Sequence, residues 1–483
     1  MVYIYIASVR KHNLELELVL SIIYPAIKIV AHCMIHGMTQ TSAQTFFKQL
    51  DKIDVVEMSE SQHRHYLSLK LQSVNTYMGF TIAGFIPYNR STLLAFNSFR
   101  SMSLSVNQYF KLIHINKTKS SDIEIQECKQ NERKVKPDWS QLVFGRSFTD
   151  HMFEINWNRD WGWGTPGICP IHNLSLHPSA KVLHYAQELF EGMKAFRGVD
   201  DKIRLFRPDM NMKRMRATAE RICLPDFDGN ELIECMKKLI KIDADWVPPY
   251  ETGASLYIRP TFIGTEAALE VQSANDAILY VICGPVGPYF AGGAVKPVSL
   301  LADPGFVRAW PGGVGNKKVG ANNGPAMALQ GVAEKKGCQQ VLWLYGADDQ
   351  LTEVGAMNVF VFLVNERGEK ELVTPPLKSG LILPGVTHVS LMELTESWAE
   401  FRVSERVITM AEVRRLVREG RMLEMFGAGT ACIVCPIGRI HFQGEDIVIP
   451  TPPNTGSLQM RLFKSLQDIQ YGKVAHEWAL VVD

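Results

Sequence analysis

The stretch Ala309-Trp-Pro-Gly-Gly-Val-Gly-Asn-Lys-Lys318-Val-Gly-Ala-Asn-Asn-Gly324 decides how this chain is interpreted. Its glycines allow the backbone to approach a ligand closely and to adopt conformations that other side chains forbid. The phrase Leu351-Thr-Glu353-Val-Gly355 follows along the chain. A lysine amine can bond covalently to an aldehyde, and a carboxylate can keep an aromatic ring nitrogen protonated. Lys318 and Glu353 therefore predict an enzyme that works through a ring aldehyde as its cofactor.

Further phrases on both sides of this stretch resemble those of one enzyme family. In chain order they are Phe144-Gly, Phe148-Thr-Asp-His-Met152, Leu183-His-Tyr-Ala-Gln-Glu-Leu-Phe-Glu-Gly-Met-Lys-Ala-Phe196, Asn211-Met-Lys-Arg214-Met, Ser255-Leu-Tyr-Ile-Arg259-Pro, Gly284-Pro-Val-Gly-Pro-Tyr289-Phe, Gln339-Gln-Val-Leu-Trp-Leu-Tyr-Gly346, Ile382-Leu-Pro-Gly-Val386 and Phe426-Gly-Ala-Gly-Thr430-Ala-Cys-Ile-Val-Cys435. From about Leu142 to Trp478 the chain resembles the animal branched-chain amino acid aminotransferases, which are class IV enzymes that use pyridoxal 5'-phosphate. So many ordered phrases are more specific than any single motif.

The resemblance implies an α/β (α+β) protein with the fold-type-IV architecture of pyridoxal-phosphate enzymes. We expect a smaller α+β domain over 136–286, a short interdomain loop over 287–297 and a larger cofactor-binding domain over 298–483. The same resemblance implies a homodimer that transfers the amino group of leucine, isoleucine or valine to 2-oxoglutarate. Two other interpretations stay open. One is a catalytically weakened paralogue that acts as a redox sensor or as a partner in a metabolic complex. The other is a D-amino-acid transaminase or a lyase with the same cofactor.

The resemblance also assigns residues to the cofactor. Lys318, and not its neighbour Lys317, matches the covalent lysine because it directly precedes a hydrophobic-glycine pair. Glu353 matches the acid that bonds the pyridine nitrogen. The residues expected to hold the remainder of the cofactor are Arg214, Arg308, Val386, Thr387, Thr430 and Asn323. Of these, Val386 and Thr387 open a predicted helix, whose N–H groups and dipole favour a phosphate.

A second set of residues is expected to bind the substrates. An apolar wall suits branched side chains, and a cation beside it suits the distal carboxylate of glutamate. The expected residues are Phe144, Phe190, Tyr257 and Tyr289 for the wall, Tyr257 and Arg259 for the distal carboxylate, and Tyr185 and Ala431 for the α-carboxylate.

The chain departs from the family at two positions and shares a cysteine pair with it. Asn323 stands where the family has a tyrosine that bonds the cofactor's phenolic oxygen, and Ala356 stands where the family has threonine or serine. Each change removes a hydrogen bond worth about 1 kcal/mol, so we expect slower turnover. Cys432 and Cys435 match a redox pair of the animal enzymes, but two buried, inert thiols are equally compatible with the sequence.

Composition excludes several other classes of protein. With 483 residues and a formal net charge of +1, the chain does not fit a nucleic-acid-wrapping protein. Its nine cysteines show no framework spacing, which indicates a reducing compartment, and a single CxxC pair predicts no metal site. The segment Leu18–Ile35 contains Pro25 and Lys28 and does not fit a membrane span.

Residues 1–135 precede the resemblance, and we expect them to be largely disordered or to serve as a targeting segment. Residues 61–121 contain no Asp or Glu but several Arg, Lys and Ser, a composition typical of mitochondrial transit peptides. This composition begins inside the chain, which leaves three interpretations open: Met78 or Met102 is the true start, the segment is a mis-predicted exon, or it is a disordered leader without function. A mitochondrial matrix location is favoured, with the cytoplasm as the alternative.

Hydrophobic periodicity predicts the main elements. Glu231–Ile242 and Val386–Phe401 have apolar residues at helical spacing. Ala277–Ile282 predicts a buried strand, and Gln340–Tyr345 and Asn358–Val364 predict two adjacent strands.

Overall fold

A computed structural model describes residues 119–288, 296–453 and 456–482 of the chain, and these residues all fall within one compact unit. The strands of the first half are β1 (Glu124–Ile125), β2 (His151–Asn158), β3 (Gly162–Trp163), β4 (Gly167–Pro170), β5 (Glu188–Phe190), β6 (Met193–Arg197), β7 (Ile203–Phe206), β8 (Ser255–Gly264) and β9 (Asp276–Val286). The helices among them are α1 (Lys181–Tyr185), α2 (Pro208–Arg221) and α3 (Gly229–Ile242).

These strands form one mainly antiparallel sheet in the order β1-β4-β2-β9-β8-β6-β7, in which β3 pairs with β2 and β5 pairs with β8. Helix α3 begins at the N-cap Asp228, whose side chain accepts hydrogen bonds from the next backbone N–H groups. Its apolar residues, including Met236 and Leu239, pack with α2 against the sheet. The helices cover one face, which leaves the other face of β8 for polar side chains.

The second half continues with β10 (Val298–Ala302), α4 (Ala326–Lys335), β11 (Gln340–Tyr345), β12 (Gln350–Val354), β13 (Met357–Val364), β14 (Lys370–Thr374), α5 (Val386–Trp398), β15 (Arg402–Glu405), α6 (Met410–Arg418), β16 (Met422–Gly429), β17 (Ile433–Phe442), β18 (Glu445–Val448), α7 (Leu458–Gln470) and β19 (Ala479–Val481). Its sheet runs β12-β11-β10-β17-β16-β13-β14-β15, and β12 also pairs with β13. That extra pairing closes six strands into a ring around an apolar core. Strand β19 returns to the first sheet and pairs with β7.

Most of the predicted elements are confirmed. The first predicted helix corresponds to α3 and the strand at Ala277–Ile282 lies within β9. Helix α5 ends at Trp398, earlier than predicted, because Ala399 adopts a left-handed conformation with φ of 50°. The prediction that Gln340–Tyr345 and Asn358–Val364 are adjacent strands is wrong. Strand β12 lies between them and pairs with both.

The predicted domain boundaries stay predictions. Residues before 135 already contact the first sheet, since the backbone N–H of Cys128 donates to Nε2 of His151 at 2.7 Å. The segment Leu18–Ile35 and the predicted targeting region up to residue 118 lie outside the described residues. Within the described ranges, no helix has the length and apolar character needed to cross a membrane.

Candidate active site

Lys318 lies on the loop before α4, where backbone contacts from the first half hold it. Its carbonyl accepts from the N–H of Phe190 at 3.1 Å, and its own N–H donates to Oγ1 of Thr218 at 3.2 Å. A side chain at Gly320 would meet the carboxylate of Glu188, so the glycine two residues after the lysine leaves room for the present position of Glu188. The amide of Asn322 donates to two loop carbonyls, those of Val314 and Lys317, at 2.8 and 2.9 Å. The loop therefore presents the lysine in one orientation.

The side chain of Lys318 is partly buried in this site. Its amine lies 4.7 Å from the ring centroid of Phe190. The pKa of Lys318 is lowered to about 8, chiefly by burial and next by the Arg214 cation, while Glu191 acts in the opposite direction. A lysine of this kind is neutral in a substantial fraction of molecules near neutral pH, which nucleophilic attack and proton transfer require.

A fully buried ion pair lies behind the lysine. The guanidinium of Arg214 donates two hydrogen bonds of 2.7 Å to the carboxylate of Glu191, and Asn211 donates a third at 2.8 Å. Burial opposes ionisation of Glu191, but Arg214 outweighs it and keeps the pKa of Glu191 below its usual value. Glu191 therefore orients Arg214 and partly offsets its charge beside Lys318. Sequence reasoning missed Glu191, although it lies within the quoted phrase that ends at Phe196.

Arg214 also reaches the start of α5, where the predicted phosphate residues lie. Its Nη1 donates to the carbonyl of Pro384 at 3.0 Å, one residue before the helix N-cap Gly385. No side chain caps this helix N-terminus, and both Val386 and Thr387 are buried. A cation and uncapped helix N–H groups thus converge, and this combination binds a phosphate dianion.

Glu353 lies on β12 with its carboxylate buried. The N–H of Leu383 donates to its Oε1 at 2.9 Å, and the amide of Asn358 lies 3.3 Å from the same oxygen. Nη1 of Arg308 lies 2.6 Å from Oε2, although its N–H is not aligned for a hydrogen bond. Burial raises the pKa of Glu353, while Arg308 opposes the shift. A second cation in this place, such as a protonated ring nitrogen, would favour the carboxylate in the same way.

Four of the predicted substrate residues lie together beside Lys318. Tyr257 and Arg259 lie two residues apart on β8, so their side chains share one face of the strand. Nη2 of Arg259 donates to the Tyr257 hydroxyl at 2.9 Å. The Arg259 guanidinium lies 4.6 Å from the Phe190 ring, and the ring of Phe144 contacts that of Tyr257 at 5.0 Å. An apolar aromatic wall with one cation at its edge results.

The loop between β16 and β17 borders the same region. Nζ of Lys194 donates to the carbonyl of Ala431 at 2.9 Å, and Lys194 pairs directly with Tyr257 across β6 and β8. The contact brings Ala431 and its neighbour Thr430 towards the wall. Burial lowers the pKa of Lys194 to about 8. Sequence reasoning did not assign Lys194 to the site.

Other predicted residues are not brought to Lys318 by any described contact. The Tyr185 hydroxyl donates to the carbonyl of Leu269, at an exposed position. Asn323 is exposed, and its backbone carbonyl accepts from the N–H of Ala326 at the start of α4. Ala356 is exposed in the turn between β12 and β13, and Tyr289 lies outside the described residues.

The cysteine pair lies at the start of β17. Cys432 and Cys435 are both buried, and the Cys432 sulfur lies 3.2 Å from the sulfur of Met357. Burial raises the pKa of Cys432 to about 12. A protonated, buried thiol is a poor nucleophile, so this geometry favours the inert alternative.

Several known proteins resemble this chain over most of its length. The family model for amino-transferase class IV matches residues 188–440. The chain is 54% identical over 365 residues to the mitochondrial branched-chain-amino-acid aminotransferase of Bos taurus, covering 75% of this chain and 92% of that protein. It is 55% identical over 347 residues to the cytosolic branched-chain-amino-acid aminotransferase of Rattus norvegicus, covering 72% and 84%.

Solved structures show the same fold at lower identity. The branched-chain aminotransferase of Thermoproteus uzoniensis superposes with a TM-score of 0.54 at 20% identity, over 68% of this chain and 99% of that one. The Escherichia coli branched-chain amino acid aminotransferase gives 0.53 at 19% identity, with the same coverage. These likenesses confirm the fold-type-IV architecture. With more than half of its residues matched by the family model and over nine-tenths of the bovine enzyme covered, the chain belongs to the class IV aminotransferases, among the branched-chain-amino-acid aminotransferases.

Proposed function

We propose that this protein is a pyridoxal-phosphate-dependent transaminase that moves the amino group of leucine, isoleucine or valine to 2-oxoglutarate. The observation that carries the proposal is the convergence of three groups from separate segments. They are the Lys318 amine, the buried Glu353 carboxylate, and Arg214 at the uncapped start of α5. An amine, an acid and an anion site in one place match the aldehyde, ring nitrogen and phosphate of this cofactor.

The residues of the site fit the cofactor. Lys318 would bond its aldehyde, Glu353 would bond its ring nitrogen, and Arg214 with the N–H groups of Val386 and Thr387 would hold its phosphate. Arg308, Thr430 and Asn323 are further proposed contacts. When bound, the cofactor supplies an electron sink for the bond that breaks at the substrate Cα.

The protein's own groups move and hold protons. The neutral Lys318 Nζ would accept the proton from the substrate Cα and would then donate the same proton to the carbon of the cofactor's aldehyde group. The negative charge of Glu353 would keep the ring nitrogen protonated, and a charged hydrogen bond of this kind contributes roughly 1.5–3 kcal/mol. The lowered pKa of Lys318 makes both directions of proton transfer accessible near neutral pH.

The aromatic wall accounts for two different substrates. Phe144, Phe190 and Tyr257 present apolar surface to a branched side chain. The distal carboxylate of glutamate would instead meet Arg259 and the Tyr257 hydroxyl, which avoids burying an unpaired charge. Tyr185, Tyr289 and Ala431 are proposed as additional substrate contacts.

The proposal is tested with the purified full-length chain, by recording its visible absorption before and after addition of L-leucine. The lysine-bound cofactor band should disappear on addition of leucine and return with 2-oxoglutarate. Borohydride reduction followed by peptide mapping should place the label on Lys318. The Lys318→Ala variant should lose both responses, and the matched Lys317→Ala variant should keep them. A response to D-leucine but not to L-leucine would support the D-amino-acid alternative instead.

Assembly and location extend the proposal. We propose a homodimer, by the family resemblance, and a location in the mitochondrial matrix. The relatives carry both mitochondrial and cytosolic names, and the acid-poor segment before residue 121 favours the mitochondrial choice. Sedimentation of the purified protein and the location of a C-terminally tagged chain in cells test these two points.

A further inference from the structure

A second cluster of reactive side chains lies on the first sheet, apart from the cofactor residues. Antiparallel pairing of β2 with β4 sets Met152 opposite Cys169 and Glu154 opposite Gly167. Side chains two residues apart on a strand share a face, so Glu154 and Cys169 are diagonal neighbours on one face. His172 follows shortly after β4. The donor atoms of Glu154, Cys169 and His172 all lie within 4.8 Å of one another.

A hydrogen bond on the far side of the ring orients His172. Its Nδ1 lies 3.0 Å from the carbonyl oxygen of Asn173, and because a carbonyl oxygen only accepts, Nδ1 carries a proton. In the neutral ring, Nε2 then presents its lone pair, and this atom lies 3.3 Å from Oε2 of Glu154. A metal ion placed between Nε2 and Oε2 would interact favourably with both atoms. Metal-binding histidines commonly donate their other ring N–H to a carbonyl or a carboxylate in this way.

We propose that Glu154, Cys169 and His172 form a binding site for a divalent transition-metal ion of the zinc type. Nitrogen and sulfur donors suit zinc and its neighbours, whereas calcium and magnesium require oxygen donors. Tetrahedral zinc with bonds of about 2.0–2.3 Å separates its ligand atoms by roughly 3.3–3.8 Å. The Glu154–His172 distance of 3.3 Å already meets this requirement.

The cluster is open to solvent and lies away from the cofactor residues, so it can bind an ion independently of them. The side chains of His172 and Glu154 are 46% and 28% exposed, so an ion reaches them from solvent and a water can complete the coordination. Binding displaces the thiol proton of Cys169 to solvent. Four neighbouring strands, β8, β9, β2 and β4, place Arg259, Ile282, Met152 and Cys169 opposite one another in that order. At about 4.8 Å per strand, this places Cys169 about 14 Å from Arg259. The sequence-based prediction of no metal site rested on the Cys432–Cys435 pair, and neither of these cysteines is a ligand in the proposed site.

Zinc binding to the full-length holoenzyme tests the proposal, measured by competition with a chromophoric chelator. We expect the His172→Ala variant to bind one zinc fewer than the parent protein. The matched His177→Ala variant, which removes a nearby exposed histidine, should bind the same number as the parent. The Glu154→Gln variant should bind this zinc at least about tenfold more weakly. Retained transamination by each variant without added zinc shows that it is folded.

Cobalt(II) then reports whether sulfur is a ligand. A thiolate-to-cobalt charge-transfer band should appear in the difference spectrum of the parent and be lost in Cys169→Ser. The band should persist in Cys223→Ser, which removes an exposed cysteine outside the cluster. An unchanged zinc stoichiometry in His172→Ala, an unchanged affinity in Glu154→Gln, or a band that survives Cys169→Ser would each overturn the three-ligand site.

Discussion

The amine of Lys318 should become reactive around pH 8 rather than around pH 10.5. Burial disfavours the ammonium form, the Arg214 cation adds to this effect, and the resulting pKa is about 8. At pH 7 the neutral fraction is then about one in ten, against about one in 3,000 for a lysine with the ordinary pKa. The difference is about 300-fold in the concentration of the attacking form.

Competitive labelling measures this directly. The cofactor-free chain is treated with trace acetic anhydride between pH 6 and pH 10, and the acetylation of each lysine is read by peptide mass mapping. Labelling of Lys318 should rise about tenfold per pH unit below pH 8 and become constant above about pH 9. Lys473 is an internal control, because its contact with Tyr250 raises its pKa. Its labelling should still be rising at pH 10.

Removal of the Glu191 charge, which lies near Lys318, should shift the pKa of Lys318 in a defined direction. The Glu191 carboxylate raises the pKa of Lys318, so Glu191→Gln should move the midpoint of labelling below pH 8. The same change leaves Arg214 without its buried partner and should destabilise the cofactor-free chain by about 3–5 kcal/mol, measured by urea unfolding. A labelling midpoint near pH 10 in the parent would refute the desolvation argument. A midpoint that rises in Glu191→Gln would refute the assignment of the neighbouring charges.

Two further substitutions and one labelling experiment have defined expected outcomes. Asn323→Tyr restores the residue type of the family, and we expect kcat to rise about fivefold in a leucine transamination assay, the equivalent of one hydrogen bond of about 1 kcal/mol; an unchanged rate would show that the residue at position 323 does not limit the reaction. Glu353→Gln removes a charged hydrogen bond and should lower kcat roughly 10- to 100-fold in the same assay, so a rate within about twofold of the parent contradicts its role. Cys432 should resist maleimide at pH 7, because burial raises its pKa to about 12, while the exposed Cys223 reacts; rapid labelling of Cys432 in the folded chain, read by peptide mapping, would favour the redox interpretation.

Elements with strong local patterns were predictable from the sequence. Helix α3 carries its apolar residues on one face, and the same residues are buried in the structure. The pairing of strands was not predictable in this way. The sequence predicts that the strands at Gln340–Tyr345 and Asn358–Val364 are neighbours. In the structure β12 lies between them and forms backbone hydrogen bonds with both. Local periodicity reports which face is buried, and it does not report the partner.

Some residues of the candidate site were predicted from the sequence and others were not. Lys318, Glu353, Arg214, Tyr257 and Arg259 were named from their phrases, and contacts described above connect each of them to the site. Glu191, Asn322 and Lys194 were missed, because a buried acid, an amide and a lysine have no distinctive flanking pattern. The glycine after Glu191 was the available signal, since a side chain at that position would collide with the Tyr257 hydroxyl.

The amino-acid sequence alone determined which chemical groups this protein has available and the order in which they occur, since glycine-dense phrases around a lysine and an acid are readable without coordinates. Only the tertiary structure decided that the Lys318 amine is partly neutral near pH 7. Desolvation and charge act through space, and Arg214, whose cation helps to lower the pKa of Lys318, lies more than one hundred residues earlier in the chain. The Glu154–Cys169–His172 cluster depends on folding for the same reason, because the β2–β4 register brings its donor atoms within reach of a single ion.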